Sequence, residues 1–176
     1  MNTAQLLKKT CDGDTAAPRR VLFVCTGNTC RSPMAAALLN EMSRPREICS
    51  ACGALSVPRY TAVSAGLFAQ AGDPITKEAA DALLASGVVS RPDNDYLAHR
   101  ARPVSAELIA EADEIVGLTA SHAMQLMLRF PEAASKIRTL PVDIADPFGG
   151  SAQVYQDCLA QLKYAIELAY FTGEQA

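Results

Sequence analysis

Residues 21–33 read VLFVCTGNTCRSP, an apolar run followed by a short segment of mostly small residues between a cysteine and an arginine. The run from Val21 to Val24 is typical of a buried strand, and the Ala-, Leu- and Met-rich stretch after Pro33 is typical of a helix. A strand, a tight loop and a helix start bring several backbone N–H groups to one point, which suits a tetrahedral oxyanion. The segment therefore predicts an anion-binding loop, with the Cys25 thiol at one end and the Arg31 guanidinium at the other.

The spacing of Cys25 and Arg31 is weak support by itself, because a buried cysteine and a surface arginine at that distance are common. The residues around them strengthen the prediction. The glycine and asparagine between them suit a tight loop, and Ser32-Pro33 suits the first turn of a helix. We therefore interpret Cys25 as a nucleophile and Arg31 as a bidentate ligand for phosphate oxygens.

Together with three later segments, this loop resembles the low-molecular-weight protein-tyrosine-phosphatase family, and the resemblance covers roughly residues 20–172. The three segments are Ser64-Ala65-Gly66, His99-Arg100-Ala101-Arg102 and Asp146-Pro147-Phe148. Within the family, Thr29 and the run Asp146–Ser151 are most similar to the bacterial protein-arginine phosphatases. Tyrosine-specific members more often carry an apolar residue at the position of Thr29, and a second aromatic residue where Gly149 stands.

The resemblance implies a phosphatase that works through a covalent phosphocysteine. Cys25 would attack phosphorus in line, while Arg31 and the N–H groups of residues 26–31 hold the equatorial oxygens. A free cysteine thiol titrates near ~8.5, and the loop N–H groups, the helix N-terminus and Arg31 would stabilise the thiolate. Because these donors stabilise the developing charge, we expect no metal and no cofactor.

The leaving group needs a proton, and the resemblance assigns the general acid to Asp146. Pro147 would fix the turn that presents this carboxylate over the loop. Asp143, three residues earlier, is the competing carboxylate. Phe148 would form one wall of the mouth of the site, although simple packing also explains an aromatic residue there.

Several further residues are expected to bind phosphate or to support the loop. By resemblance, Asn28 would hold the loop in a strained shape and bond with Ser64 and His99 beneath it. The Ser32 hydroxyl could donate to the sulfur of Cys25, and it could also cap the helix. The residues expected to contact phosphate or substrate are Thr26, Gly27, Asn28, Thr29, Cys30, Ser32 and Phe148.

Composition narrows the class of protein. The chain has 176 residues, of which 49% are apolar and 20% charged, as expected for one globular domain. A net charge of −3 argues against nucleic acid as a partner. The N-terminus lacks the apolar region of a signal peptide, and no run approaches the ~20 apolar residues of a membrane span. We expect a cytoplasmic monomer or weak dimer that acts on a phosphorylated protein and releases inorganic phosphate.

The order of elements predicts the fold class. Strands alternate with helices, which is typical of an α/β protein with a parallel sheet and helices on both faces. We predict a single-domain three-layer sandwich, with about four strands in the sheet and the phosphate-binding loop after the first strand. The domain would span residues 19–173, with a flexible tail at 1–18 and an insertion around 43–58.

The individual elements follow from periodicity and from turn residues. After the first strand come a helix near 33–42, strands near 60–65, 114–118 and 136–140, and helices near 73–84, 104–111, 121–130 and 151–170. The apolar positions of the last helix are predicted at Val154, Leu159, Leu162, Ile166 and Leu168.

Six cysteines lie at irregular spacings, which argues against a secreted disulfide framework. The resemblance implies that Cys30 can form a protective disulfide with Cys25 on oxidation. Cys49 and Cys52 have the spacing of a redox pair or of half a zinc site. Nothing in the sequence places the other candidate zinc ligands beside them, which are Cys11, His99 and His122. Ordinary loop residues are therefore the simpler interpretation of this pair.

Four functional hypotheses remain. The enzyme could act on protein phosphoarginine or on phosphotyrosine. A thiol-linked arsenate reductase would use the same fold and loop, but its relay cysteines are expected after the second helix, and residues 73–117 contain none. Cys49 and Cys52 are the pair that keeps this alternative open. A non-catalytic phosphate-binding module is the fourth hypothesis, and the intact set of Cys25, Arg31 and Asp146 argues against it, because binding alone needs neither a nucleophile nor an acid.

Overall fold

The computed structural model describes residues 17–44 and 59–172. The predicted tail at 1–18 and the predicted insertion at 43–58 therefore fall almost wholly outside the described residues. Cys11, Cys49 and Cys52 also lie outside them, and the hypotheses for these cysteines stay predictions.

A four-stranded sheet forms the centre of the protein, in the order β2-β1-β3-β4. The strands are β1 (Arg19–Cys25), β2 (Tyr60–Gly66), β3 (Glu114–Gly117) and β4 (Ile137–Thr139). Every neighbouring pair is parallel, so the predicted parallel four-stranded sheet is confirmed. Cys25 is in register with Gly66 of β2, and Val24 is in register with Gly117 of β3. The cysteine thus ends the central strand at the carboxyl edge of the sheet, where ligands of open α/β sheets bind.

Helices cover both faces of the sheet, which confirms the three-layer architecture. They are α1 (Arg31–Met42), α2 (Lys77–Ala85), α3 (Ala106–Glu111), α4 (Ala120–Arg129) and α5 (Ala152–Tyr170), with a 3-10 helix at Pro131–Lys136. Helices α1, α2 and α5 pack on the face that contains Phe23, whereas α3, α4 and the 3-10 helix pack on the face that contains Leu22. Alternate residues of β1 therefore serve opposite layers, as a strand buried on both sides requires. None of the helices in the described residues has the length and apolarity of a membrane span.

Two predictions about helices are wrong in detail. Helix α2 begins at Lys77 and not at Asp73, because the Thr76 side chain caps it. The carbonyl of Asp73 instead accepts a hydrogen bond from the N–H of Ala101 at 2.7 Å, which joins this segment to the loop before α3. A distant partner thus holds Asp73-Pro74 in extended backbone, although the local sequence suits a helix start.

The apolar face of α5 is also displaced from the predicted one. Leu159, Leu162 and Ile166 are buried as predicted, but Val154 and Leu168 are exposed. The buried face continues instead through the residues Tyr155, Cys158, Ala165 and Tyr170. Tyr155 and Cys158, one turn apart, therefore occupy the start of the buried face, where hydrophobicity alone would place Val154.

Glycines at the ends of β2 and β3 let two segments approach the carboxyl edge closely. A Cβ atom on Gly66 would lie 2.7 Å from the carbonyl oxygen of Thr26, and one on Gly117 would lie 2.5 Å from the backbone nitrogen of Ala123. Both distances are far below van der Waals contact. The loop after β1 therefore packs directly on β2, and the first turn of α4 packs directly on β3.

Candidate active site

The loop between Cys25 and α1 turns its carbonyl groups outward. Four of these oxygens accept hydrogen bonds from surrounding segments: Cys25 from Leu67 N and Thr26 from Phe68 N, both at 2.9 Å, Thr29 from Thr76 N at 2.9 Å, and Asn28 from His99 Nε2 at 2.8 Å. In a trans peptide, the carbonyl and the following N–H point in opposite directions. The next N–H groups in the chain therefore point into the loop, and those of Thr26, Gly27, Thr29 and Cys30 have no partner among the described residues. The result is a preformed set of donors for an oxyanion.

Cys25 lies buried at the base of this loop. Its Sγ atom is 3.3 Å from the N–H of Asn28 and 3.0 Å from the Ser32 hydroxyl. Both groups can donate to the sulfur, and donors of this kind stabilise a thiolate. The alternative role of Ser32 as a helix cap is wrong, because it lies inside α1 and the capping position belongs to Cys30.

Asn28 braces the loop from inside. It is fully buried and has a φ of 58°, the left-handed region that asparagine tolerates better than most residues. Its Nδ2 donates to Ser64 Oγ at 2.9 Å and to Ser32 Oγ at 3.0 Å, and its Oδ1 accepts from the N–H of Arg102 at 2.9 Å. The side chain thus makes three hydrogen bonds that hold an otherwise unfavourable backbone conformation.

His99 lies beneath the loop, as predicted, but it contacts the backbone of Asn28 and not its side chain. Because a carbonyl can only accept, Nε2 of His99 carries the proton in this contact. Burial lowers the pKa of His99, as do the nearby Arg102 and Arg100 guanidinium groups, while the hydrogen bond to Asn28 opposes them. The ring therefore supports the loop as a neutral donor.

Arg31 extends from the first residue of α1 to the segment after β4. Only 6% of its side chain is exposed. Nη1 donates to the carbonyl of Ile144 at 3.2 Å, and Nη2 donates to Oδ2 of Asp146 at 2.5 Å. These two contacts hold the guanidinium beside the loop and link it to the acidic residue opposite.

Asp146 lies at the mouth, in a turn built by glycine and proline. Its side chain is 50% exposed, and its Oδ1 accepts a hydrogen bond from the N–H of Phe148 at 3.2 Å. The turn closes through Gly150 N to Pro147 O at 2.8 Å, with Gly149 at a φ of 76°. A second aromatic residue at the position of Gly149 would be strained, so this turn offers the mouth one aromatic ring.

Asp143 lies apart from this site. Its Oδ1 accepts a hydrogen bond from the N–H of Ala120 at 2.9 Å, which satisfies the first turn of α4. Asp146, and not Asp143, therefore lines the pocket over Cys25.

A pocket of about 220 Å³ opens above the loop, and it unites most of the predicted site residues. It is lined by Cys25, Thr26, Gly27, Asn28, Thr29, Cys30, Arg31, Asp146 and Phe148. Phe148 is 72% exposed and forms one wall, so its ring is available to a substrate and not committed to packing. Ser32, Ser64 and His99 lie outside the lining and act on the loop from beneath.

The thiol of Cys30 packs against α5 and the start of α2. Its Sγ lies 3.4 Å from both the Tyr155 hydroxyl and the Thr76 hydroxyl. Burial raises the pKa of Tyr155 to about 12, and the contact with Cys30 acts in the same direction. Cys25 and Cys30 are both free thiols, so the disulfide between them stays a prediction.

Sequence reasoning missed three supporting residues. Thr76 and Tyr155 contact the Cys30 thiol, and His122 contacts the Thr26 side chain with its Nε2 3.0 Å from Thr26 Oγ1. The sequence indicated His122 only as a possible zinc ligand. A usable signal existed: His122 follows β3 in the first turn of a helix, which places it at the carboxyl edge.

Comparison with known proteins agrees with this geometry. The family model described as low molecular weight phosphotyrosine protein phosphatase matches residues 20–170. A protein-arginine-phosphatase of Geobacillus stearothermophilus is 37% identical over 157 residues, which are 85% of this chain and 93% of the relative. The structure of a low molecular weight protein tyrosine phosphatase from T. tengcongensis has a TM-score of 0.70 at 36% identity, covering 85% of this chain and 95% of the other. These two relatives, one named for arginine and the other for tyrosine, are thus almost equally identical to this chain.

One further structure bears on the nucleophile. A cysteine-to-serine mutant of YwlE arginine phosphatase, with a phosphorylated active-site serine, has a TM-score of 0.69 at 29% identity. The match covers 85% of this chain and 92% of that one. In that relative, the residue that replaces the active-site cysteine accepts the phosphoryl group.

Proposed function

The chain belongs to the low molecular weight phosphotyrosine protein phosphatase family of cysteine-dependent hydrolases, and we propose that its substrate is phosphoarginine in proteins. The observation that carries this proposal is the set of residues at the mouth of the pocket. Thr29 lines the pocket there, with its hydroxyl 3.6 Å from the Cys30 thiol, and Gly149 has a φ of 76°, a conformation that disfavours a bulky side chain. Phe148 is thus the one aromatic side chain among the described lining residues.

The chemistry of the leaving group supports this choice. The guanidinium of phosphoarginine is planar and carries several N–H donors, whereas a tyrosyl ring offers an apolar face. Asp146 is half-exposed at the mouth and can accept a hydrogen bond from the guanidinium. Thr29 adds a hydroxyl acceptor where an isoleucine would add only apolar surface. The lining therefore suits a polar, planar group better than a second aromatic ring.

We assign the first step to Cys25, Arg31 and Asp146. The Cys25 thiolate attacks phosphorus, a sulfur–phosphorus bond forms, and the phosphorus–nitrogen bond of phosphoarginine breaks. Asp146 gives its proton to the departing guanidine nitrogen. The inward N–H groups and Arg31 hold the three equatorial oxygens, so charge that develops in the transition state meets donors already in place.

The second step regenerates the enzyme. The Asp146 carboxylate takes a proton from water as the water oxygen attacks phosphorus. The sulfur–phosphorus bond breaks, inorganic phosphate leaves, and the thiolate returns to its contacts with Ser32 and Asn28. We further propose a phosphorylated protein as the partner, a monomer or weak dimer as the working form, and the reducing cytoplasm as its location, since the mechanism needs a free thiolate.

The test compares kcat/KM for phosphoarginine and phosphotyrosine peptides of the same sequence in three proteins. Wild type should prefer phosphoarginine. Thr29→Ile should shift the ratio toward phosphotyrosine by about one to two decades, equivalent to ~1–3 kcal/mol of pocket contact. Thr29→Val is the matched control, because it removes the hydroxyl at constant size and so separates polarity from bulk.

Two results would remove the substrate assignment and leave the family assignment intact. One is a wild-type preference for phosphotyrosine. The other is a Thr29→Ile protein that loses both activities equally, which would mean that Thr29 shapes the loop without selecting the leaving group. Among the described cysteines, Cys158 is a poor relay thiol for an arsenate reductase, because it is buried and burial raises its pKa to about 12. Cys49 and Cys52 lie outside the described residues.

A further inference from the structure

His122 is a buried ionisable residue that the two chemical steps leave without a role. It lies in the first turn of α4 and is 5% exposed. Both ring nitrogens have partners: Nε2 is 3.0 Å from Thr26 Oγ1, and Nδ1 is 2.9 Å from Thr119 Oγ1. The ring therefore bridges the residue that caps α4 and the first residue of the phosphate-binding loop.

The contacts of Thr119 determine which ring nitrogen carries the proton. Its hydroxyl oxygen accepts the backbone N–H of His122 at 3.3 Å, as a helix cap does. Its one hydrogen then points to Nδ1 of the same residue, the remaining polar atom that the structure gives it among the described residues. Nε2 is therefore the protonated nitrogen, and it donates to the Thr26 hydroxyl.

Charged groups on two elements influence the ring electrostatically. Arg31 belongs to the start of α1, and Asp143 and Asp146 belong to the segment between β4 and α5. Burial lowers the pKa of His122 and Arg31 lowers it further, while the two carboxylates oppose them, with a net lowering. The imidazole is thus neutral near pH 7, in agreement with the tautomer assigned from Thr119.

We propose that His122 is a positioning residue for the phosphate-binding loop, acting through the Thr26 side chain, a role that rests on the proposed phosphatase function. Thr26 is held from three sides. Its carbonyl accepts from Phe68 N at 2.9 Å, Gly66 packs against its backbone, and His122 holds its hydroxyl. Loss of the last contact removes one of the restraints on Thr26 and loosens the peptides on both sides of it, whose carbonyls keep their hydrogen bonds to Leu67 N and Phe68 N. The N–H groups of these peptides, on Thr26 and Gly27, belong to the set of donors that point into the loop and bind the oxyanion.

The first experiment uses two amides that separate the two ring contacts. His122→Gln extends an amide to the position of Nε2 and can still donate to Thr26, whereas His122→Asn reaches only the position of Nδ1 and loses that contact. With para-nitrophenyl phosphate as substrate, His122→Asn should lower kcat/KM and weaken inhibition by inorganic phosphate, each about tenfold, the upper range for one hydrogen bond. His122→Gln should recover most of both losses.

The second experiment removes the same contact from the loop side. Thr26→Val keeps the shape and lacks the hydroxyl, so it should reproduce the loss of His122→Asn, while Thr26→Ser, which restores the hydroxyl, should recover most of that loss. The chain has two histidines, so nitrogen-15 spectra resolve the ring of His122 from that of His99. Those spectra should show a neutral, Nε2-protonated ring in wild type and a changed Nε2 signal in Thr26→Val.

Ser105→Ala is the control, because it removes the cap of α3, outside the pocket lining, and should change stability without changing kinetics. Equal losses in His122→Gln and His122→Asn would overturn the proposal, as would wild-type phosphate inhibition in Thr26→Val. A lowered Tm with unchanged kinetics in His122→Asn would also overturn it. If wild type itself releases no phosphate, the proposed function fails, and phosphate binding by calorimetry still decides the role of His122.

Discussion

The phosphate-binding loop at 26–31 and the acid-bearing turn at 146–150 face each other across the pocket, but they are held in different ways. Asn28 is fully buried and its side chain makes three hydrogen bonds, while four backbone carbonyls between Cys25 and Thr29 accept hydrogen bonds from three other segments. Asp146 is half-exposed, Phe148 is largely exposed, and the Asp146 carboxylate contacts Arg31 and its own turn. The loop is therefore the braced side of the site, held by many hydrogen bonds, and the turn is the exposed side, held by few contacts.

This difference follows from what each side must do. Donors that stabilise a transition state work best when their positions are fixed before the reaction, so bracing of the loop contributes directly to rate. A general acid must exchange its proton with water between steps and let the leaving group depart, so exposure suits it. Residues with few buried contacts also open more readily, which permits product release.

Removal of the nucleophile should have the largest effect, because both sides of the site act on that atom. Cys25→Ser should lower phosphate release by about 10⁴-fold or more, since an unactivated hydroxyl replaces a thiolate. Ser32 and Asn28 can bond to the new hydroxyl, so Tm and circular dichroism should match wild type. Near-normal turnover in a well-folded Cys25→Ser protein would contradict the covalent mechanism.

The second largest effect should come from the exposed side, when Asp146 is replaced by a residue of the same shape. Asp146→Asn should lower kcat by roughly 10²–10⁴-fold with a peptide substrate, the usual contribution of a positioned acid. The loss should be smaller for para-nitrophenyl phosphate, whose leaving group needs little protonation. Tm should hardly change, because the side chain is half-exposed.

Asp143→Asn is the matched control for the acid. The amide oxygen can still accept the N–H of Ala120, so α4 keeps its first turn and activity should stay within about threefold of wild type. A leaving-group-dependent loss in Asp143→Asn, without one in Asp146→Asn, would transfer the acid role to Asp143.

The braced side is tested by Asn28→Ala, which removes three side-chain bonds and places alanine at a φ of 58°. We expect kcat/KM to fall about 10- to 100-fold as the donors lose their positions. The free energy of unfolding should fall by about 2–4 kcal/mol, since Ser64 and the N–H of Arg102 lose buried partners. Steady-state kinetics and urea unfolding measure the two effects.

Phe148→Ala gives the contrast on the exposed side. Its ring is 72% exposed, so the free energy of unfolding should change by less than about 0.5 kcal/mol, while KM rises by a few-fold. The comparison between the two sides breaks down if Phe148→Ala destabilises the protein as much as Asn28→Ala does.

The sequence by itself determined the central features of this protein. The apolar run before Cys25 predicts β1, the short polar segment predicts the loop, and Arg31 stands where α1 begins. The alternation of strands and helices predicts the parallel sheet. These features are local, since each depends on periodicity or on turn residues within about a dozen positions, and such patterns express the preferences of the backbone directly.

Only the tertiary structure decided which distant residues meet at the loop. Thr26 and His122 are 96 residues apart, and Cys30 and Tyr155 are 125 apart. Asp73-Pro74 suits a helix start and yet pairs with the segment of Arg100 and Ala101. Such contacts depend on where whole elements pack, and here Gly66 and Gly117 allow the close approach that brings them together. The periodicity of a sequence does not predict that close approach, because packing energy depends on the positions of both partners in space.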